Sequence, residues 1–293
     1  MDPESTKSQP SRFLRELLKV DRLTEIVDVG ANPIDGDPPY KAMLSAGLCR
    51  VIGFEPQGDA LAELQRRKGS NERYLPYALG DGKSHTLHVC RGSGMTSLLE
   101  PDPAKLALFD ILRSISEVVR TVVVDTRRLD DVAEIEHLDF LKLDVQGSEL
   151  AVIRGGTGRL AQAVAIQAEV SFVTLYKDQP AVGEIDLELR GQGFIPHCFA
   201  ALKRWPISPC VVNGNPRRPL HQLLEADIVY VRDFSRPEAI SDDQLKHLAL
   251  IAHHCYGSVD LALRCVMLLE KRAVLKAGAQ KRYLELATPP KAL

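Results

Sequence analysis

Short apolar runs alternate with amphipathic segments between residues 25 and 232 of this chain. Most runs are bounded by Gly, Pro, Asn or Asp, which is typical of buried strands between turns. Predicted strands cover residues 26–29, 50–54, 73–77, 84–90, 118–124, 138–144, 164–170, 194–200 and 226–231. Predicted helices cover residues 11–20, 39–46, 58–67, 148–154 and 180–190, with a looser helix at 103–112. The alternation predicts an α/β fold with a doubly wound, mostly parallel sheet.

From residue 236 onward the pattern contains helices only. Ser241 and Ser258 precede two amphipathic runs, and serine is a favoured N-cap residue. We therefore divide the chain into a lead-in with one helix at 1–24, a sheet domain at 25–234 and a helical extension at 235–293. The extension is expected to pack on the sheet, to cover the cleft or to form a dimer interface. The first ten residues and the tail after Leu286 are expected to be disordered.

Composition excludes several classes of protein. The 293 residues are 45% hydrophobic and carry a formal net charge of −2, so a general nucleic-acid binder, which needs a basic face, is not expected. No apolar run approaches the roughly 20 residues of a membrane span, and the polar N-terminus does not resemble a signal peptide. The six cysteines are scattered without a C-x-x-C pair, which favours reduced thiols. These features predict a cytoplasmic protein without a nucleic-acid or membrane partner.

Candidate chemistry begins where the first two strands end. Asp28 lies within the first strand, Gly30 and Asn32 form the turn after it, and Glu55 follows the second strand. A carboxylate at the tip of the second strand can accept both hydroxyls of an adenosine ribose. Asn32 stands where a dinucleotide fingerprint would have its second glycine, which weakens the alternative of a nicotinamide-dependent oxidoreductase. The layout suits S-adenosylmethionine, which has no pyrophosphate, and favours a methyltransferase.

Several motifs resemble the FkbM-type methyltransferases over about residues 25–233. They are VDVGAN at 27–32, GFEP at 53–56, ALGD at 78–81, SGMTSL at 93–98, DFLKLDVQGSELAVIRGG at 139–156 and AEVSF at 168–172. The resemblance implies a Rossmann-like class I fold with a seven-stranded sheet and S-adenosylmethionine as cofactor. It also implies methylation of a hydroxyl group on a sugar or a polyketide-type product.

The resemblance also implies roles for individual residues. Asp28, Gly30 and Asn32 match the cofactor loop and Glu55 the ribose-binding acid. Asp81 matches an acid near the adenine, and Asp144 an acid close to the reacting methyl. Two departures stand out: residues 33–35 separate Asn32 from Gly36, and Gln146 replaces the acid of the family's V-E-G triplet.

Three residues are candidates for catalysis, because an alcohol nucleophile must lose its proton. Asp144 ends the strand nearest the methyl and is the first candidate for the base; the alternative is that it only orients the cofactor or caps a turn. Glu169, on the adjacent strand, is expected either to face Asp144 and share a proton or a divalent cation, or to form a salt bridge with Lys142 or Lys177. A cation is compatible with this arrangement, but no residue pattern calls for one. His197, on a late strand, is the third candidate, although a lone histidine there is more often structural.

The glycine-containing segment with Ser93, Thr96 and Ser97 suits a loop that closes over the cofactor or the substrate, or a simple surface turn. Tyr176 and Trp205 are expected to form an aromatic wall for a sugar ring or to pack internally.

The combined hypothesis is an O-methyltransferase acting on a small molecule, a glycan or a natural-product sugar. The alternative is a degenerate methyltransferase fold that serves as a binding or assembly module. In either case the C-terminal helices are a candidate interface for a homo-oligomer.

Overall fold

The computed structural model describes residues 10–32 and 36–287. The first nine residues, the loop 33–35 and the tail 288–293 lie outside the described residues. The disorder predicted for the first ten residues and for the tail after Leu286 therefore falls largely outside them as well. The strands are β1 (Thr24–Val29), β2 (Cys49–Phe54), β3 (Glu72–Leu75), β4 (Ala78–Leu79), β5 (Ser84–Cys90), β6 (Val118–Arg127), β7 (Phe140–Leu143), β8 (Ala165–Ser171), β9 (Phe194–Arg204) and β10 (Leu223–Arg232). The helices are α1 (Pro10–Leu18), α2 (Lys41–Ser45), α3 (Gly58–Arg67), α4 (Pro103–Leu106), α5 (Asp110–Ile115), α6 (Glu149–Arg154), α7 (Thr157–Leu160), α8 (Val182–Gly191), α9 (Asp242–Tyr256), α10 (Val259–Lys271) and α11 (Ala279–Ala287).

A seven-stranded sheet with the order β3-β2-β1-β7-β8-β10-β9 forms the centre of the molecule. The strands from β3 to β8 in this order run parallel, and β10 is antiparallel to both of its neighbours. All seven residues of β8 are buried, as expected of a strand covered on both faces. The predicted doubly wound, mostly parallel fold is therefore confirmed.

A second sheet of three strands, β4-β6-β5, lies beside the first. The run at 118–124 is a strand, as predicted, but it belongs to this small sheet and not to the central one. Val119 and Val123 are 57% and 75% exposed. Their β-branched side chains favour the extended backbone, but they do not determine which neighbour the strand pairs with.

Two hydrophobic cores cover the two faces of the central sheet. On one face, Leu150 and Ile153 of α6 pack with Leu189 of α8. On the other face, helices α1, α2, α9, α10 and α11 share a core with strand residues that include Phe140 and Val229. Of the three roles considered for the C-terminal helices, the structure shows packing on the sheet.

The first of these C-terminal helices begins with a capping box. The Ser241 hydroxyl accepts a hydrogen bond from the Gln244 amide at 3.1 Å, and the Gln244 side chain accepts one from the Ser241 amide at 3.0 Å. Gly257, in the left-handed conformation with φ +61°, ends the same helix. Among the residues described, no helix is long and apolar enough to cross a bilayer.

Candidate active site

Two cavities open at the carboxyl ends of the parallel strands, and both are lined by Asn32 and Asp144. The first cavity encloses about 750 Å³, its open mouth included, and the second about 1500 Å³. The first also contacts the ends of β1 and β2, the β5–α4 connection and the loop after β7. The second extends over α2, the end of α3 and strands β7, β8, β9 and β10. Ligands of open α/β sheets bind at such carboxyl edges.

The turn after β1 lies directly against the loop after β7. Gly30 has a φ of +80°, and a Cβ atom at this position would lie 1.8 Å from the Asp144 carbonyl oxygen. The Gly30 amide donates to the Phe54 carbonyl at 3.0 Å. Only glycine permits this approach, so the residue brings the ends of β1, β2 and β7 together at one point.

Glu55 provides the carboxylate of the first cavity. The residue is buried, and its Oε1 accepts a hydrogen bond from the Gln57 amide at 2.7 Å. Burial raises the pKa of Glu55 to about 7. Apolar walls complete the cavity and come from Phe54, Tyr77, Leu79 and Leu87. A buried carboxylate beside apolar walls suits a nucleoside, because the carboxylate can accept both ribose hydroxyls.

Asp28 was expected beside the cofactor, but the structure places it among the residues that line the second cavity. Parallel pairing of β1 with β7 sets Asp28 opposite Lys142, whose Nζ lies 3.1 Å from Asp28 Oδ1. Tyr40 donates to the other carboxylate oxygen at 2.6 Å. Burial lowers the pKa of Lys142, whereas Asp28 and Asp144 raise it, and the net shift is upward. The lysine therefore remains charged in the cavity wall.

Asp144 and Glu169 are brought together, as the sequence suggested, and a third residue joins them. Gln146 Nε2 donates to Asp144 Oδ1 at 2.8 Å and to Glu169 Oε2 at 2.9 Å. Lys203 Nζ pairs with Glu169 Oε1 at 2.9 Å and with Glu225 at 3.4 Å. Burial raises the pKa of Glu169 well above its ordinary value, and Asp144 and Glu225 add to the shift.

The two lysines considered as partners of Glu169 pair elsewhere. Lys142 binds Asp28, and Lys177 lies 2.7 Å from Glu100. Lys203 takes their place because the antiparallel strand β9 extends to Arg204, beyond its predicted end at residue 200.

The serine-containing segment lines the first cavity through Ser93, Thr96 and Ser97, on the side of Glu55. Ser97 Oγ donates to the Gln146 carbonyl at 2.6 Å, which ties the segment to the loop after β7. The segment therefore faces the predicted cofactor site and does not line the second cavity.

Both aromatic candidates pack internally. Tyr176 is buried and lines neither cavity; its hydroxyl lies 3.1 Å from the Met95 carbonyl and 3.2 Å from Gln146 Oε1. Trp205 packs edge-on against Phe109.

Two predicted site residues lie away from both cavities. The Asp81 carboxylate lies 2.7 Å from His85 Nε2, and this hydrogen bond lowers the pKa of Asp81 to about 2. His197 Nε2 lies 2.8 Å from Ser258 Oγ, between β9 and the start of α10. Among the described residues, no cluster of three or more His, Cys, Asp or Glu side chains is arranged to hold a metal ion.

Sequence analysis missed the role of Glu149. Its buried carboxylate accepts hydrogen bonds from the Val145 amide at 3.0 Å and the Gly147 amide at 3.1 Å, and so fixes the loop that carries Asp144. Burial raises the pKa of Glu149 to about 7. The signal was its position shortly after the turn residue Gly147, in the first turn of the helix predicted at 148–154.

Three polar residues of the second cavity were also missed, Tyr40, Gln167 and Asp227, and Lys142 was considered only as a partner of Glu169. Lys142 and Asp227 each interrupt a predicted strand, and an isolated charge in an apolar run signals a buried partner. The identity of that partner depends on strand register, which the sequence does not contain.

The order of the central sheet is that of a class I methyltransferase fold. The first cavity, with the buried carboxylate of Glu55 beside apolar walls, agrees with this class. The chain belongs to the FkbM methyltransferase family, because the model of the methyltransferase FkbM domain matches residues 28–196. The cofactor of this family is S-adenosylmethionine, and the first cavity fits it through Gly30 and Glu55.

One curated relative is the 2-O-methyltransferase NoeI of Sinorhizobium fredii (strain NBRC 101917 / NGR234). It is 28% identical over 166 residues, which span 53% of this chain and 66% of the relative. Among solved structures, one similar chain is the magnesium protoporphyrin IX methyltransferase (ChlM) from Synechocystis PCC 6803 with bound SAM. The two chains share 10% identity, the match covers 76% of this chain and 78% of the other, and the TM-score is 0.37. A putative methyltransferase from Thermoplasma acidophilum shares 12% identity with this chain. The match covers 77% of this chain and 75% of the other, with a TM-score of 0.36.

Proposed function

We propose that this protein is an S-adenosylmethionine-dependent O-methyltransferase whose acceptor is a hydroxyl group of a small molecule or a glycan. The observation that carries the proposal is the position of Asp144. Asp144 lines both the first cavity, which we assign to the cofactor, and the second cavity, which we assign to the acceptor.

The first cavity is assigned to the cofactor. Glu55 would accept hydrogen bonds from the ribose hydroxyls, the apolar walls would contact the adenine, and the close turn at Gly30 would bring backbone atoms to the ligand. When bound, S-adenosylmethionine supplies a methyl group on a sulfonium: the acceptor oxygen forms the new O–C bond, the S–C bond breaks, and S-adenosylhomocysteine leaves.

Asp144 is assigned as the base that takes the hydroxyl proton. Gln146 holds its Oδ1 at 2.8 Å. In the part of the chain that the structure describes, its Oδ2 accepts no hydrogen bond from the protein, so this oxygen is available to the acceptor hydroxyl. Alignment of the hydroxyl with the methyl then provides much of the rate enhancement.

The second cavity is assigned to the acceptor. Asp28, Lys142, Gln167 and Asp227 place both hydrogen-bond donors and acceptors on its wall. A polyhydroxylated ligand matches such a wall because each sugar hydroxyl both donates and accepts. The similarity to NoeI, a 2-O-methyltransferase, supports a hydroxyl acceptor.

The first test is calorimetric titration with S-adenosylmethionine, S-adenosylhomocysteine and, as a control, NAD. We expect micromolar binding of the first two only. A well-folded sample that binds neither would favour the non-catalytic module.

The second test measures methyl transfer to methyl glucoside, galactoside and mannoside by mass spectrometry. In the active assay, Asp144→Asn is expected to lower kcat about 10²- to 10⁴-fold, the range typical of a lost general base, with the cofactor Kd within about threefold of wild type. Asp186→Asn, on α8 outside both cavities and paired with Arg190, is the matched control and should retain wild-type kcat. Unchanged turnover in Asp144→Asn would remove Asp144 from the mechanism.

A further inference from the structure

The Gln146 side chain occupies the space between two carboxylates. Its single amide nitrogen lies 2.8 Å from Asp144 Oδ1 and 2.9 Å from Glu169 Oε2. A primary amide has two N–H donors, so one group can satisfy both oxygens at once. Carboxylates this close to each other ordinarily share a proton or a cation, because their charges repel.

The orientation of this amide is determined by its partners. Of the two ends of this amide, only the NH₂ group can donate to the two carboxylates. The Tyr176 hydroxyl lies 3.2 Å from the other end, Oε1. A flipped amide would place its carbonyl oxygen against both carboxylates and its NH₂ group against the phenol.

The backbone of Gln146 is held as firmly as its side chain. Its φ of +54° lies in the left-handed region, which is unfavourable for residues other than glycine. The carbonyl accepts a hydrogen bond from Ser97 Oγ at 2.6 Å. A strained backbone conformation persists where the surrounding contacts impose it, and at functional sites it often serves to place a side chain.

The hydrogen bonds of Glu169 show how the Gln146 bridge affects the carboxylate charge. Gln146 donates to one of its oxygens and Lys203 to the other, so both face donors that favour the ionised form. Burial opposes this by raising the pKa of Glu169. The amide therefore supplies, without titrating, a hydrogen bond that a shared proton would otherwise provide.

We propose that Gln146 is a positioning residue for the methyl transfer: its amide bridges Asp144 and Glu169 and holds Asp144 in the orientation of the base. This inference rests on the proposed function, because Asp144 must be the group that takes the acceptor proton. Gln146 itself takes no proton.

The decisive variant is Gln146→Glu, which has nearly the same shape but replaces the two donors with a third acid. Three adjacent carboxyl groups must retain at least one shared proton near neutral pH. This cluster of carboxyl groups then loses its last shared proton only at higher pH. We expect the acidic limb of the kcat profile, where the rate rises with pH, to move upward by about 1 to 2 pH units.

Gln146→Leu separates the loss of the bridge from the gain of a charge. We expect its kcat to fall about 10- to 100-fold, from the loss of hydrogen bonds to charged groups, with the Kd of S-adenosylhomocysteine within about threefold of wild type. Gln162→Glu is the charge-matched control: it adds the same negative charge at an exposed site before β8, at the opposite edge of the sheet. Its pH profile should coincide with that of wild type.

A stability measurement tests the bridge without an acceptor. The new glutamate of Gln146→Glu has an ordinary pKa of about 4.3 in the unfolded chain and a raised pKa in the folded one. Its stabilising contribution is therefore present at low pH and is lost as the pH rises through the folded value. The Tm gap between wild type and this variant should widen from pH 5 to pH 8, whereas Gln162→Glu should show no such widening.

The outcomes are distinguishable. A shifted acidic limb together with a widening Tm gap supports the inference. An unmoved limb in an active Gln146→Glu variant overturns it, even if kcat falls, because a purely structural role would lower the rate without shifting the profile. If wild type methylates none of the glycosides, calorimetric binding of S-adenosylhomocysteine still tests the proposed function, and the pH dependence of the Tm gap still tests the bridge. A Tm gap that does not change with pH overturns the bridge itself.

Discussion

At the scale of single residues, the site depends on carboxyl groups whose environments differ. Glu55 is buried at the end of β2, and burial raises its pKa to about 7. Asp81 is about one third exposed beside His85, and its hydrogen bonds lower its pKa to about 2. Both residues matched family positions in the sequence, but only Glu55 has the environment of a ligand-binding acid. Residue type predicted the candidates, and burial separates them.

Glu55 should make cofactor binding depend on pH. Only the ionised carboxylate can accept both ribose hydroxyls, and with a pKa of about 7 the ionised fraction rises about tenfold between pH 6 and pH 8. We therefore expect S-adenosylhomocysteine to bind about tenfold more tightly at pH 8 than at pH 6, measured by calorimetry. Glu55→Gln should weaken binding at pH 8 about 10- to 100-fold and remove most of the slope.

The control for this experiment is Glu188→Gln. Glu188 is a carboxylate of α8 bound to Gln192 and Arg154, outside both cavities, and it should retain the wild-type slope. An undiminished pH slope in Glu55→Gln would assign the titration to another group, with buried Glu149 the first alternative.

Gly30 should tolerate no side chain. A Cβ atom there would lie 1.8 Å from the Asp144 carbonyl oxygen, on a backbone with φ +80°. The left-handed conformation and the steric overlap together should cost roughly 2–5 kcal/mol in Gly30→Ala. Urea unfolding should show this loss, and calorimetry should show loss of cofactor binding. Gly183→Ala, in α8 with no neighbouring atom within 4 Å, should be as stable as wild type. Wild-type affinity in Gly30→Ala would contradict the contact.

At the scale of elements, the sequence predicted most helices and strands but not their partners. Residues 58–67 and 84–90 were predicted with the bounds that α3 and β5 have. Periodicity and turn residues are local signals, so they indicate the type and ends of an element. Pairing is decided by packing between distant segments. The assignment of β6 to a separate sheet and the length of β9, which carries Lys203, therefore required the structure.

The same limit applies to the candidate site. Asp144, Glu169 and Gln146 were all singled out, because acids after strands and a departure from a motif can be seen in a sequence. Their bridge could not be predicted, since it depends on the backbone conformation of Gln146. The separation of Asp28 from Glu55 also depends on geometry: they line different cavities, although the motif pattern groups them.

The pair formed by Asp28 and Lys142 gives a test at this scale, because it joins β1 to β7. Removing one member leaves a buried charge unpaired, so Asp28→Asn or Lys142→Met should each cost about 3–5 kcal/mol. The double variant should cost clearly less than the sum of the two. Urea unfolding of the four proteins measures this coupling. The matched cycle is Arg91 with Glu117, a more exposed pair, where the coupling should be much smaller. Additive losses for Asp28 and Lys142 would contradict the pairing.

At the scale of the whole molecule, the C-terminal helices share a core with the sheet. Leu248 and Leu250 of α9 and Leu269 of α10 are buried in the same cluster as Phe140 of β7. The matched family domain, 28–196, ends before both the helices and strand β10. The sequence suggested an appendage because the pattern changes at residue 236. A change of pattern marks the end of the sheet, but it does not show that the two parts fold separately.

A chain that ends at Phe234 should therefore not fold cooperatively. Loss of the C-terminal helices would expose the apolar face formed by Ile26, Phe140 and Val229, whose burial stabilises the sheet. We expect no cooperative urea transition and no binding of S-adenosylhomocysteine by the truncated chain. Within the full chain, Leu250→Ala should cost about 2–5 kcal/mol because it leaves a cavity in this core.

The control for Leu250→Ala is Leu187→Ala, which removes the same atoms from a side chain of α8 that is 73% exposed. It should change stability little, because few of those atoms are buried in the folded chain. In both full-length variants the cofactor Kd, measured well below the Tm, should match wild type, since neither residue lines a cavity. A truncated chain that unfolds cooperatively and binds S-adenosylhomocysteine as tightly as the full chain would show instead that residues 235–287 are an independent unit, and their buried face would then have to be explained by a contact other than the sheet.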